Sequence, residues 1–353
     1  MKMEIAAESL ERIVVFEHVL YPKAFEGQWS NRLFKSHEKI REKMGKPPTF
    51  LAASKLAKSV REGDRVILST GWVVPTFLPR GEFDGPLGTV SLARAISVGL
   101  KAHSVFVTEE AMTPVLENVS GIAGLRVVPF EDMSKFKGMG VASTEVFPVE
   151  SIDESKKRAR ALLDKINPSA VIAIEKAGRN EKGVYHTGLG HDFSASQAKV
   201  DYLVDEARNR GILTIGIGDL GNEIGFGSFR EDLAPMHPFG AKCQCPCGGG
   251  IMTVVETEVP VFAACSNWGG YAVSACLSGI LKDSEVLHDS ATERRMFEAA
   301  MRTGTVDCIY MRPQMTEHSI DVEVHIHVLE LLRAIVQQRR KSLERLSAPT
   351  REV

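Results

Sequence analysis

The run Ile215-Gly216-Ile217-Gly218-Asp219-Leu220-Gly221-Asn222-Glu223-Ile224-Gly225-Phe226-Gly227 takes a buried apolar strand straight into glycines and clustered polar groups. Glycine lets backbone approach a ligand closely and adopt positive φ. Asp219, Asn222 and Glu223 place hard oxygen donors within five residues. They follow a strand, and the carboxyl ends of strands are where an open α/β sheet binds ligands such as a divalent cation. An isolated G-x-G-D reads more simply as a solvated turn. Other strands of this chain end the same way, which favours a site.

Outward from that strand, short β-branched runs alternate with amphipathic stretches. Val66-Ile67-Leu68 precedes a helix predicted near 88–100, Val105-Phe106-Val107 one near 113–120, and Leu125-Arg126-Val127-Val128 a looser segment. A helix over 153–166 leads to Val171-Ile172-Ala173-Ile174, and one over 195–210 leads to Leu213-Thr214-Ile215. Continuous apolar strands between helices predict an α/β fold, a mostly parallel sheet covered by helices on both faces. The first 60 residues read as helical through Leu10, Ile13, Val14, Phe16 and Val19, then Leu51, Leu56, Ala57 and Val60. The expected organisation is a helical N-terminal addition over 1–60, an α/β catalytic core over 61–335 closed by a helix, and a polar C-terminal tail over 336–353.

With 353 residues, 44% hydrophobic, 25% charged and a net charge of −2, the chain reads as soluble and globular. That balance gives no electrostatic reason to expect nucleic acid or membrane as a partner. The start carries acids where a signal peptide would be apolar, no window has transmembrane length, and the six cysteines lack the spacing of a secreted disulfide framework. A cytoplasmic protein is expected, acting on a small metabolite as a homo-oligomer.

The strand exits can now be compared. Ser69-Thr70-Gly71-Trp72 and Glu82-Phe83-Asp84-Gly85-Pro86 follow the first, Thr108-Glu109-Glu110 the second, Glu175-Lys176-Ala177-Gly178-Arg179 a later one, and Cys265-Ser266-Asn267-Trp268-Gly269-Gly270-Tyr271 the last. In a doubly wound sheet these exits share one edge. So many carboxylates in one cleft raise each other's pKa values, a conflict that Mn²⁺ or Mg²⁺ would resolve, with Ca²⁺ as an alternative and Lys176 and Arg179 as further counter-charges. The segment from Gly178 to Ser194 is long and rich in glycine, His and Tyr, as active-site loops are. Arg179 can clamp a carboxylate, Tyr185 and His186 can move protons, and Ser194 or Asp192 can cap the helix expected from Ala195.

Glu175 to Arg179 with Asp192 and Ser194, the Ile217 to Gly225 run, and Ser266 to Tyr271 together resemble the D-glutamate cyclase family, with Asp84-Gly85-Pro86 similar to its first strand–helix region. The likeness spans roughly residues 30–335 with the motifs in the same order. It implies a divalent-metal-dependent, carbon–oxygen lyase-type cyclase that interconverts D-glutamate, or a related acidic amino acid, and 5-oxo-D-proline plus water.

Such chemistry needs a neutral amine, a polarised γ-carboxylate and a protonated leaving oxygen. Asp219 and Glu223, with Glu110 and Asp84, are the expected metal ligands, and His186 or Glu175 the base. Arg179 would hold the α-carboxylate, with Tyr185, Asn222, Ser266, Asn267 and Trp268 lining the substrate. The same cleft would serve a metal-dependent hydrolase of a lactam, lactone or phosphoester, or a non-catalytic metabolite or cation sensor.

Two further clusters stand apart. Cys243, Cys245 and Cys247 with His237 offer soft ligands for Zn²⁺ or an iron–sulfur cluster, but C-x-C-x-C lacks the usual C-x₂-C spacing, and a reduced thiol loop is the plainer reading. His325 and His327 lie on a predicted helix, where neighbours two apart diverge, so they are expected to be surface or packing histidines rather than a chelating pair.

Overall fold

The structure, a computed structural model, describes residues 2–15 and 32–347, so Phe16 and Val19 of the expected N-terminal helix lie outside the described residues. Helices α1 (Lys2–Val14), α2 (Arg32–Met44) and α3 (Pro48–Ser59) precede β1 (Arg65–Thr70), α4 (Pro86–Ala95), β2 (His103–Thr108) and α5 (Thr113–Ile122). Next come β3 (Arg126–Val127), β4 (Val141–Val146), α6 (Ile152–Ile166), β5 (Ala170–Ile174), α7 (Asp201–Asn209), β6 (Leu213–Gly218) and α8 (Arg230–Leu233). The chain continues with β7 (Val259–Phe262), α9 (Ser266–Leu281), α10 (Ser290–Thr303), the short strands β8 (Thr316–Glu317) and β9 (Ile320–Asp321), and α11 (Val322–Ser347).

Strands β1 to β7 form a seven-stranded sheet in the order β3-β4-β2-β1-β5-β6-β7. Every pairing is parallel. Side-chain alternation divides the sheet between two apolar clusters. Val66 and Leu68 point into one with α1, α3, α4, α5 and α9, while Ile67, Val105 and Val107 point into the other with α6 and α7. β4, Val-Ala-Ser-Thr-Glu-Val, is a strand the apolar pattern missed, because its second half is polar at the sheet's outer region.

From β1 the chain moves outward through β2 to β3 and β4, then returns to place β5 on the other side of β1. The exits of β1 and β5 therefore diverge and leave a crevice, the usual ligand position in such sheets. α9 supports that crevice from below; it is buried from Ser266 to Ser278 and apolar on all sides, as a central helix must be. The N-terminal helices share this core. Ala7, Leu10 and Val14 of α1 and Ala52, Ala53 and Leu56 of α3 are fully buried in it, and Glu11 ties the two helices by accepting from Thr49 N at 2.8 Å and Thr49 Oγ1 at 2.7 Å. α11 runs through residue 336 to Ser347, so the tail expected from 336 is helical that far. Among the described residues no helix is long and apolar enough to cross a membrane.

Candidate active site

β1 delivers Asp84 to the crevice, and the last strand explains how this acid is held. α9 begins without a capping side chain of its own, since Cys265 at its N-cap donates or accepts no cap bond. Asp84 caps it from across the sheet: Oδ1 accepts from Asn267 N at 2.7 Å and Oδ2 from Ser266 N at 2.9 Å. Orphan amides and the positive end of the helix thus favour its carboxylate. Asn267 Oδ1 in turn accepts from Gly85 N at 3.0 Å and Gly88 N at 2.6 Å. This needs α4 and α9 in backbone contact, which only glycine permits, because a Cβ on Gly88 would lie 2.7 Å from Asn267 Cα.

β5 and β6 supply the opposite wall. Glu175 leaves β5 with φ 45°, an unfavourable conformation for a residue with a Cβ, and its Oε2 accepts from Ser266 Oγ at 2.6 Å. Glu223 folds back over its own loop, Oε2 accepting from Gly221 N at 2.8 Å and Oε1 from Leu220 N at 3.2 Å. Ligand atoms of Glu175, Asp219 and Glu223 lie within 4.8 Å of one another, as do those of Asp84, Asp219 and His318. Asp219 belongs to both groups, and its Oδ2 is buried without a hydrogen-bond partner, as is Asn222 Oδ1.

His318 comes from the β8–β9 hairpin, a region in which no site was expected. His318 and Ser319 form its two-residue turn with φ 52° and 63°, the doubly positive geometry of a type I′ turn that normally recruits Asn or Gly. Asp307 secures it, Oδ2 accepting from Ser319 N at 2.8 Å and Thr316 Oγ1 at 2.7 Å. The imidazole stands 3.7 Å from Asp84 Oδ2, 3.7 Å from Asp219 Oδ2 and 3.8 Å from Glu82 Oε2. Glu317, beside it, accepts from Asn267 Nδ2 at 2.8 Å. An imidazole in such a turn, ringed by acids, is the signal that could have drawn attention to this segment.

Burial dominates the electrostatics. It pushes Glu82 up to about 7, with His318 working against the rise. It raises Glu175 and Asp219 well above the carboxylate range, and the neighbouring acids add to both. Glu223 also rises through burial, opposed by the amides it accepts from. Glu82, Glu175 and Asp219 floor a cavity of about 550 Å³ whose walls are largely apolar, among them Trp72, Phe77, Leu78, Leu189 and Phe193. Hard oxygens, an orphaned carboxylate oxygen and clustered acids with raised pKa values are a donor set suited to a divalent cation.

Residues 34–333 match the family described as D-glutamate cyclase-like, C-terminal. The chain belongs to the D-glutamate cyclase-like family. It is also 27% identical over 228 residues to the human protein named "D-glutamate cyclase, mitochondrial", a match covering 63% of this chain and 34% of the human protein. The chain thus spans about a third of the length of that relative.

Within this D-glutamate cyclase-like fold the residues expected at the site divide sharply. Asp84, Glu175, Asp219, Glu223, Asn222, Ser266 and Asn267 converge on it, with Glu175, Asp219 and Asn222 lining the cavity. Glu110 does not; it is exposed, and its neighbour Glu109 is the buried acid. Glu109 is matched by the fully buried Lys176, whose Nζ also donates to Gly71 O at 3.0 Å, so Lys176 does not offset the cluster. Arg179 is turned away as well, paired with Asp201 at 2.7 Å and Asp205 at 2.5 Å and stacked on Tyr202 at 4.5 Å. Tyr185 is buried and donates to the same Asp201 at 2.6 Å. Trp268 lies within the core, its Nε1 donating to His325 Nδ1 at 2.8 Å. His186 faces Cys245 and Cys247 rather than the acids. The helix expected from Ala195 starts at Asp201, so Asp192 and Ser194 cap no helix there: Ser194 Oγ donates to Asp192 Oδ1 at 2.6 Å and accepts from Tyr185 N at 2.9 Å. His325 and His327 behave as expected on α11, one buried and one exposed.

Proposed function

We propose that this chain interconverts an acidic amino acid and its five-membered lactam, D-glutamate and 5-oxo-D-proline being the pair its family suggests, with a divalent ion at the crevice. The observation carrying this reading is the buried acid cluster around Asp219 and His318 at the floor of an apolar cavity. Asp219, Glu223, Glu175, Asp84 and His318 would hold the ion, which when bound supplies Lewis acidity and positive charge for a carboxylate substrate.

The chain's own groups supply the rest. Glu82, poised near 7, is matched to proton transfer at neutral pH through Oε2. In the forward direction the amine nitrogen bonds to the carbon of the γ-carboxylate, Cδ, while one C–O bond of that carboxylate breaks. The two protons lost from the ammonium finish on the departing oxygen as water, so charge balances. Asn222 Oδ1, buried and lacking a partner, is placed to accept from the substrate ammonium and aim it. The apolar walls exclude bulk water, which strengthens the electrostatic contacts within the site for both directions of the interconversion.

Proton NMR of the purified protein with D- and L-glutamate and both 5-oxoprolines, with and without Mn²⁺ or Mg²⁺, tests the proposal. Ion-dependent interconversion of one enantiomeric pair, lost in Asp219→Asn together with ion affinity, is the expected result. Ion binding without turnover of any of the four compounds would reduce the site to a sensor.

A further inference from the structure

His186 and the thiols of Cys243, Cys245 and Cys247 take no part in the reaction proposed above. They nonetheless form a compact group, two of its members buried and two half-buried. His186 Nε2 lies 3.2 Å from Cys245 Sγ and 3.5 Å from Cys247 Sγ, while Cys243 Sγ lies 3.5 Å from Cys245 Sγ and 3.3 Å from Cys247 Sγ. All four ligand atoms fall within 4.8 Å of one another. These sulfurs are not disulfide-bonded, and their spacing exceeds a disulfide bond of about 2.05 Å by a wide margin. It does match a coordination polyhedron: with Zn–S of about 2.3 Å and Zn–N of about 2.0 Å, tetrahedral ligands stand roughly 3.5–3.8 Å apart. The four separations given above lie within a few tenths of an ångström of that geometry.

The surroundings are built for thiolates. Cys247 Sγ accepts from Asn180 Nδ2 and Gly249 N, both at 3.5 Å, and such N–H···S bonds stabilise metal-bound sulfur. Asn180 is itself fixed, Nδ2 donating to Gly250 O at 2.7 Å and Oδ1 accepting from Lys182 N and Val184 N at 2.9 and 3.0 Å. His186 and Cys243 are 1% and 6% exposed, while Cys245 and Cys247 are half-buried at the rim of the group.

We propose that His186, Cys243, Cys245 and Cys247 bind one Zn²⁺ in a closed, tetrahedral S₃N site that is structural. Three soft thiolates and an imidazole select zinc over the hard ions suited to the acid cluster, and with four protein ligands no position is left open for substrate. The ion staples the 237–251 loop to the segment after β5. That segment walls the cavity through Thr187, Gly188 and Leu189, and Asn222 Nδ2 donates to His186 O at 2.9 Å. Gln244 reinforces the join, its N donating to Gly190 O at 3.0 Å and its Nε2 to Leu189 O at 2.7 Å. The zinc thus fixes one wall of the reaction chamber without touching the reaction.

The full chain, purified under reducing conditions, should carry stoichiometric zinc by elemental mass spectrometry. Replacing zinc by Co²⁺ should give the thiolate-to-cobalt charge-transfer absorption and intense visible bands of a tetrahedral site. Cys247→Ser should diminish both zinc content and charge transfer, whereas Asp219→Asn should change neither, which separates this site from the acid cluster. If Cys247→Ser does not fold, the cobalt spectrum of the wild type decides alone. Wild type lacking zinc and giving no charge transfer with Co²⁺ overturns the proposal. So does iron with labile sulfide, or an intramolecular disulfide among the three cysteines, in the reduced protein.

Discussion

Glu175 shows how one residue serves the site at the expense of the fold. It is buried among Asp219, Glu223 and Asp84, in a backbone conformation that favours glycine. Glu175→Gln keeps the bond from Ser266 and removes the like-charge conflict. The metal-free variant should gain about 1 kcal/mol in denaturant unfolding while turnover falls at least tenfold, the trade expected where acids are crowded for function. A variant less stable than wild type would show that the carboxylate is needed for folding. Arg179 makes the converse case. Its fork on Asp201 and Asp205 and its stack on Tyr202 are structural, so Arg179→Lys should cost about 1–2 kcal/mol by thermal melting and leave KM unchanged. A large rise in KM would return it to the substrate. The sequence made the acids legible because each follows a strand of near-continuous apolar residues. It misplaced Arg179 because pairing of Ala177 with Glu223, an isolated bridge that no periodicity announces, carries the chain away from the crevice.

Among the elements, the β8–β9 hairpin, like β4, is one that pattern reading missed, and for a physical reason. Its strands are two residues each, too short to display alternation, and its turn holds His318 and Ser319 where glycine or asparagine would signal a I′ turn. Backbone strain at Ser319 serves only to present its neighbour. Ser319→Gly, which keeps the amide bonded to Asp307, should therefore raise the melting temperature by the equivalent of about 1 kcal/mol with kcat unaltered. A fall in kcat would mean that the hydroxyl itself reaches the substrate. β1, β5 and β6, by contrast, were readable because burial on both faces demands apolar runs, and their shared parallel sheet follows from the helices between them.

For the whole molecule the acid cluster links stability to pH with a definite sign. Glu82 titrates near 4.5 when unfolded and near 7 when folded, so between these values the folded protein binds more protons than the unfolded chain. Its stabilising contribution is present below about 4.5 and is lost as pH rises through about 7. Glu82→Gln has no such dependence. The stability of metal-free wild type relative to Glu82→Gln should therefore decline across that window, and saturating Mn²⁺ should reverse the decline. A difference that stays flat with pH in denaturant titrations would mean that Glu82 is not held protonated.

The assembly of the crevice from Asp84, Glu175, Asp219 and, far along the chain, His318 has a consequence for biosynthesis. The seven strands of the sheet are all complete by Phe262, well before the hairpin emerges. During vectorial synthesis the strand exits can be in place while His318 is still unmade, so the acids meet one another before the imidazole reaches them. Docking of the hairpin is what brings His318 within 3.7 Å of both Asp84 and Asp219. A nascent chain halted between α9 and the hairpin would carry the strand exits and the helix that caps Asp84 but lack the imidazole that stands between Asp84 and Asp219.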